Sequence, residues 1–190
     1  MRAGQSVCLP LGIAASQSVS SVSFTFSAPA GHLSDVSLDA EGCWTGSLTP
    51  QEDGRWLATL ENNCSTTPTG VRAAGSICFT AVSPRSAFVR LGIEDLDPAV
   101  SPAHAFGSRA VVIANEPLLE AWQAADGERM VTLFGKAGSR YEIRQSTEVA
   151  TPRPWSAGWV ETVPDRLFLN TRVQGDLSDA PILFLDVNEQ

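Results

Sequence analysis

The chain has 190 residues, a formal net charge of −8, 18% charged side chains, 15 Gly and 12 Pro. That acidic balance weighs against nucleic acid, which selects basic patches, and against an anionic membrane surface. Abundant Gly and Pro describe short strands joined by turns, not long helices, and no apolar run approaches the ~20 residues that cross a bilayer.

The opening, MRAGQSV, has no apolar signal-type run, which fits a mature or excised segment of a longer protein. Val7, Leu9, Leu11 and Ile13 then alternate with Cys8, Pro10 and Gly12. This period of two predicts a half-buried strand, and Pro10, with no N–H to give, suits an edge. Residues 19–40 are the stretch on which the rest of the chain is organised. Val22, Phe24 and Phe26 alternate with Ser21, Ser23, Thr25 and Ser27, which predicts an inner strand of a sandwich with its hydroxyl residues facing outward. Pro29 ends the ladder, Gly31 turns the chain, and Leu33, Val36 and Leu38 begin the next extended piece.

In CWTGSLTPQEDGRWLATLENNC, Asp53 and Gly54 stand between two alternating runs. That is a strong signal for a type I′ hairpin, whose two central residues both need positive φ. With those two as the turn, Cys43 lies directly opposite Cys64, and a disulfide is expected there. It would stabilise by about 3 kcal/mol in the chain-entropy model. Ile77, Phe79 and Ala81 predict another strand, residues 88–93 a further one, and RAVVI over 109–113 the last before a boundary. Residues 95–106 read as a Pro-rich loop. Cys8 and Cys78 are both out of phase with the apolar residues of their strands, so both are expected to face the same way relative to the core. By elimination they make the second bridge, two free thiols being the alternative. Four cysteines without a C-x-x-C, and only His32 and His104 to add nitrogen, argue for disulfides in an oxidising compartment and against zinc.

Asn115-Glu116-Pro117 reads as the boundary, because Pro restricts the residue before it and breaks pairing. It predicts two domains, a β-sandwich over 1–114 and a smaller antiparallel β domain over 116–190. Past it the pattern restarts. Residues 118–124 and 129–134 flank Asp126-Gly127, a second hairpin of the same chemistry. Tyr141, Ile143 and Gln145 come after the turn KAGS. Trp155, Trp159, Val160, Leu167, Leu169 and residues 182–187 supply the remaining strands.

GQSVCLPLGIAASQSVSSVSFTFSAPAGHLSDVSL resembles the start of cohesin-type domains. There an alternating strand is succeeded by a strand ending in an FTL-like run, a Pro-containing turn and a Leu-rich strand. GVRAAGSICFTAV is similar to their later strand, in which a Gly-led segment enters an I-x-F-x-A stretch. The resemblance covers residues 5–114 and implies an all-β, nine-stranded jelly-roll sandwich with a binding role. In cohesins the partner dockerin docks on the sheet containing the strand matched here by residues 22–26. EPLLEAWQAADGERMVTLFGKAGSRYEIRQSTE with PWSAGW after it is similar to small C-terminal β domains of very large secreted bacterial proteins. That likeness covers residues 116–187 and implies place and architecture more than activity. The usual aromatic-basic ending is here replaced by LFLDV.

Catalytic signals are weak. His32 sits in a Pro-Gly turn and His104 in a Pro-rich loop, and no G-x-S-x-G elbow occurs. Glu94, Asp95 and Asp97 offer oxygens suited to calcium but lack the EF-hand spacing, which favours a solvated loop. A carboxylate pair for glycoside hydrolysis is always available among 21 acids, so that activity is a remote alternative. GKAGSR lacks the P-loop pattern, and the sequon Asn63-Cys64-Ser65 holds a cysteine better used in a bridge. Of the five tryptophans, Trp155 and Trp159 are expected to close the second sandwich, with Trp44 and Trp56 exposed on the first hairpin.

Together these residues predict a non-catalytic protein-binding or structural module of a larger secreted or cell-surface protein, without metal or cofactor. Its partner surface is expected at Ser21, Ser23, Thr25 and Ser27, with Trp44 and Trp56 as neighbouring anchors. The partner is another protein or a neighbouring domain of the same assembly. The alternative is a carbohydrate-binding module that holds polysaccharide on exposed Trp44 and Trp56.

Overall fold

Alternation of small polar with aromatic or β-branched residues produces an all-β architecture. The computed structural model describes residues 1–64, 70–97, 107–175, 178 and 180–190, and these form strands and turns with no helix. They fall into two compact units, Met1–Pro84 with Phe88–Val112, and Arg85–Ala87 with Ile113–Gln190. The short segment joins the second unit through Ser86, whose Oγ accepts from the Ala114 N–H at 2.9 Å and donates to the Glu116 carbonyl.

The first unit contains β1 (Ser6–Ala15), β2 (Ser21–Ser27), β3 (Leu33–Ala40), β4 (Trp44–Pro50), β5 (Arg55–Asn62), β6 (Gly70–Ala81), β7 (Ala87–Glu94, all but its first residue) and β8 (Ser108–Val112). They make two sheets, ordered β1-β6-β3 and β4-β5-β2-β7-β8. Eight strands stand here among the described residues, where the cohesin resemblance implied nine. Pro10 is on β1, an edge, as its missing N–H requires. The core is built from Val22, Phe24, Phe26, Ala58, Leu60, Val89 and Leu91 of the larger sheet and Ile77, Phe79 and Ala81 of the smaller. Each is the apolar half of an alternating strand. Gly75 lets the sheet bend: its φ is 142°, and a Cβ there would strike the Asp39 carbonyl of β3.

The second unit contains β9 (Leu118–Gln123), β10 (Arg129–Phe134), β11 (Arg140–Ser146), β12 (Ser156–Thr162), β13 (Phe168–Arg172) and β14 (Phe184–Glu189), in sheets β13-β10-β9 and β12-β11-β14. Leu133, Tyr141 and Val163 form its core, with Leu119 and Val187 packed against them. The Tyr141 hydroxyl is buried but not orphaned, since it accepts the Lys136 backbone N–H at 2.9 Å. Gly135 lies against that ring, where a Cβ would meet it at 2.7 Å.

Two expectations shift here. The last strand begins at Phe184, not Ile182, which is 60% exposed. Pairing decides this: β14 lies on β11 from Phe184 opposite Ser146 to Glu189 opposite Tyr141. Trp159 is buried as expected, whereas Trp155 is only half-buried, with the guanidinium groups of Arg144 and Arg153 at 5.6 and 5.5 Å from its ring.

Candidate functional site: the outer face of the five-stranded sheet

The register of β4, β5 and β2 sets side chains into rows across the outside of the larger sheet. Thr45, Glu61 and Ser21 form one row, Ser47, Thr59 and Ser23 the next, and Thr49, Leu57 and Thr25 the third. Arg55 and Ser27 make the last row. Opposite residues share a face, so these are the partners of the buried rows containing Trp44, Leu60, Ala58 and Phe26. The face is short-chained and dominated by hydroxyls, with Leu57, 38% exposed, as its apolar point.

The predicted outward set is therefore only partly exposed. Ser21 is exposed, Ser23 and Ser27 are half-buried, and Thr25 is just 3% exposed. Thr25 is the correction that matters. Parity does turn its side chain away from the core, but β2 lies inside the sheet between β5 and β7, and neighbouring side chains close over it. Its Oγ1 donates to Asp95 Oδ2 at 3.2 Å, and Ser27 Oγ donates to Glu94 Oε1 at 3.1 Å. Arg55 completes this corner, 2.7 Å from Asp95 and 3.8 Å from Glu94. The guanidinium occupies the place a cation would take between those two carboxylates. These groups are substantially exposed, so the pairs order the corner more than they stabilise the fold.

Trp44 and Trp56 are not the exposed pair that was expected. Trp44 is 6% exposed and belongs to the core. Trp56 is half-buried with its ring 5.8 Å from that of Phe26. Both stand on the inward parity of the hairpin, which a one-residue change of register decides. The turn itself has the predicted chemistry: Asp53 and Gly54 have φ of 56° and 72°, and Arg55 N–H donates to the Glu52 carbonyl at 3.2 Å. Gln51 N–H also donates to the Arg55 carbonyl at 2.8 Å. The strands consequently pair Trp44 with Asn62, one step from the register the turn alone gives.

Cys43 thus faces Asn63, whose N–H donates to the Cys43 carbonyl at 2.8 Å, and not Cys64. The Cys43–Cys64 disulfide is nonetheless formed, with Cα atoms 5.3 Å apart. Beyond the end of β5 the Asn62 side chain accepts the Cys64 N–H at 2.9 Å, and this local turn returns the cysteine to its partner. Cys8 and Cys78 are also bridged, and they do stand directly opposite in the β1–β6 register. Asp39 lies 3.3 Å from the Cys78 sulfur. Those sulfurs are spent in the bridge, so the trio is not a ligand set.

His32 has a backbone role, its carbonyl accepting the Val82 N–H at 3.0 Å, and its Nδ1 has no hydrogen-bond partner to orient it as a base. His104 and most of the Pro-rich loop lie outside the described residues. A cavity of about 80 Å³ between Leu9, Leu11, Phe26, Ile77 and Leu91 is far below the ~300 Å³ where ligand pockets begin. Sequence reasoning passed over two exposed aromatics of the second unit, Trp122 and Phe168, 42% and 41% exposed. The available signal was parity, since Trp122 is out of phase with Leu119, which packs on the core.

No protein-family model matches the chain, and no curated protein matches it. Among solved structures it is similar to the type II cohesin dyad from the adaptor ScaA scaffoldin of Acetivibrio cellulolyticus, with 10% identity and a TM-score of 0.40. The match covers 77% of this chain and 58% of that one, so the chain spans a little over half the length of the dyad.

Proposed function

We propose that this chain is a non-catalytic binding module of a larger secreted or cell-surface protein, in which residues 1–114 and 116–190 are separate domains. The first offers the outer face of β4-β5-β2 to a partner protein. One observation carries the reading: three adjacent strands align their hydroxyl side chains in register on an open, short-chained sheet face. Each hydroxyl both donates and accepts, and short side chains allow another backbone or flat surface to approach closely. Leu57 supplies an apolar point and Arg55 a charged edge. Without an exposed Trp or Tyr on this face, the affinity should be moderate. Two disulfides suit an oxidising, extracellular setting. Polysaccharide stacking on Trp44 and Trp56 is disfavoured by the burial of Trp44 and the packing of Trp56 on Phe26.

The test uses the whole chain to capture proteins from the culture supernatant of its source organism. The identified partner is then titrated against wild type and the double variant S47R/T49R. Both positions are exposed on edge strand β4, so the fold should tolerate them, with melting unchanged within the scatter of surface substitutions. A loss of tenfold or more is expected; undiminished binding overturns the assignment of this face. Expressing 1–114 and 116–190 separately tests the domain proposal, which fails if neither fragment melts cooperatively.

A further inference from the structure

The second unit carries a face of different chemistry. The register of β9, β10 and β13 places Leu118, Phe134 and Phe168 in one row, Glu120, Thr132 and Asn170 in the next, and Trp122, Met130 and Arg172 in the third. Aromatic surface thus stands at opposite corners of a polar centre. Phe134 and Phe168 have ring centroids 6.3 Å apart, and Phe168 is 41% exposed. The two aromatic rows are four residues apart along β10, about 13 Å at strand rise. Trp122 on β9 and Phe168 on β13 therefore end a diagonal track across the sheet.

Trp122 is held in place. Its indole N–H donates to Thr132 Oγ1 at 3.1 Å, and that hydroxyl donates in turn to Asn170 Oδ1 at 2.8 Å. Thr132 is only 8% exposed because the indole and the neighbouring side chains cover it. With its one polar atom already engaged toward the sheet, the exposed part of Trp122 has only π surface to offer. A fixed aromatic plane of that kind loses little side-chain entropy on binding. Asn170 spends its carbonyl oxygen on Thr132, which leaves its amide N–H groups to donate outward. Arg172 is 70% exposed and is steadied by Glu128, 3.0 Å from its Nε.

A ring with apolar C–H faces and hydroxyl edges matches this surface on every count. We propose that the outer face of β9-β10-β13 binds a neutral glycan, with Trp122 stacked on a pyranose ring, Asn170 and Arg172 hydrogen-bonding its hydroxyls, and Phe168 contacting a further ring along the track. An acidic glycan is disfavoured, because a chain of net charge −8 repels it at long range. A protein partner would favour one central apolar anchor ringed by weaker contacts, whereas here the centre is polar and the aromatics flank it.

Affinity gel electrophoresis of the whole chain at neutral pH, with soluble β-glucan, xylan and glycol chitin cast separately into the gel, tests this. At least one polysaccharide should retard the wild type. W122A should lose at least tenfold in apparent affinity, F168A less, and W122F should keep most of it because a plane remains. Retained circular dichroism and an unchanged melting transition in W122A exclude unfolding. S47R/T49R should bind the glycan as wild type does, so this site and the proposed protein-binding face can fail independently. No retardation by any of the three, or equal retardation of W122A, overturns the proposal. So does a wild type that sediments as a dimer and a W122A that sediments as a monomer, which would identify the occupant of the face as a second copy.

Discussion

The two Asp-Gly hairpins have the same dipeptide at the tip and differ in nearly everything that surrounds it. At Asp53-Gly54 both residues adopt positive φ, 56° and 72°, and the tip is docked: the Ala28 N–H donates to the Gly54 carbonyl at 3.0 Å. At Asp126-Gly127 only the glycine does, with φ of 90°, because the turn closes one residue earlier, from Gly127 N–H to the Ala124 carbonyl at 2.9 Å. The Asp126 carboxylate there accepts the Glu128 N–H at 3.1 Å. The first hairpin is stapled by a disulfide at its open end and contributes Trp44, Ala58 and Leu60 to a core. The second has no staple and leaves Trp122 in solvent. A dipeptide identifies a hairpin and its surroundings choose the turn geometry, while the register stays the same: Gln51 N–H donates to the Arg55 carbonyl and Ala124 N–H to the Glu128 carbonyl, each at 2.8 Å.

The staple is the largest difference to break. C43S/C64S should lower the stability of the first unit by about 3 kcal/mol, read from its denaturant unfolding free energy, with a steeper slope because the unlinked unfolded chain is more expanded. A loss below about 1 kcal/mol would mean that the docked tip alone fixes this hairpin.

Gly54 and Gly127 sharpen the comparison. A Cβ on Gly54 meets the Ala28 carbonyl and the Ala30 backbone, while one on Gly127 has only the far end of Gln123, at 3.8 Å, for a neighbour. G54A should therefore cost about 3 kcal/mol, backbone strain plus a clash that cannot relax, and G127A only the 1–2 kcal/mol or so of a left-handed conformation. Equal midpoint shifts for the two variants would show the tip of the first hairpin to be free.

A third contrast separates Thr25 from Ser47. Both belong to the hydroxyl face, but T25R places a cation in a nearly closed position and should cost about 2 kcal/mol or more, whereas S47R should stay within ~0.5 kcal/mol. Thermal melting of the two single variants checks the pair, and a T25R variant as stable as S47R would put Thr25 in solvent.

The smallest effect is expected on acidification. Hydrogen bonds from Ser139 and Lys136 hold Glu189 below the usual carboxylate range, and the Ser86 N–H does the same for Glu116. A carboxyl depressed in the folded state contributes stability that is complete above its unfolded pKa and is lost as pH falls through the folded value. Lys136, raised chiefly by its hydrogen bond to Glu189, behaves oppositely and loses its contribution only in strong alkali. The second unit should accordingly melt slightly lower as pH drops through and below the ordinary glutamate range. E189Q should remove part of that slope, and an unchanged slope would show the pair to be idle.

Much of the fold was legible in the sequence because burial on one side of a strand writes a period of two. Val22, Phe24 and Phe26, Ile77, Phe79 and Ala81, and Tyr141 with Ile143 each announced their inward face, and the strands around them form as expected. Pro10 announced an edge for want of an N–H, and the positive φ of Asp53 and Gly54 came from the demands of a tight turn. Local chemistry suffices for such features, since each depends on a residue and its immediate neighbours. What sequence could not supply was the environment of the other face. Thr25 is outward by parity yet enclosed, because β7 lies beside β2 across a long stretch of chain, and only that pairing brings Asp95 to its hydroxyl. Trp44 is buried and Trp122 exposed because they stand nine and four positions before the aspartates of two hairpins that share one register, and so on opposite parities. Which parity turns inward is set by the sheet that packs on each hairpin, not by the dipeptide.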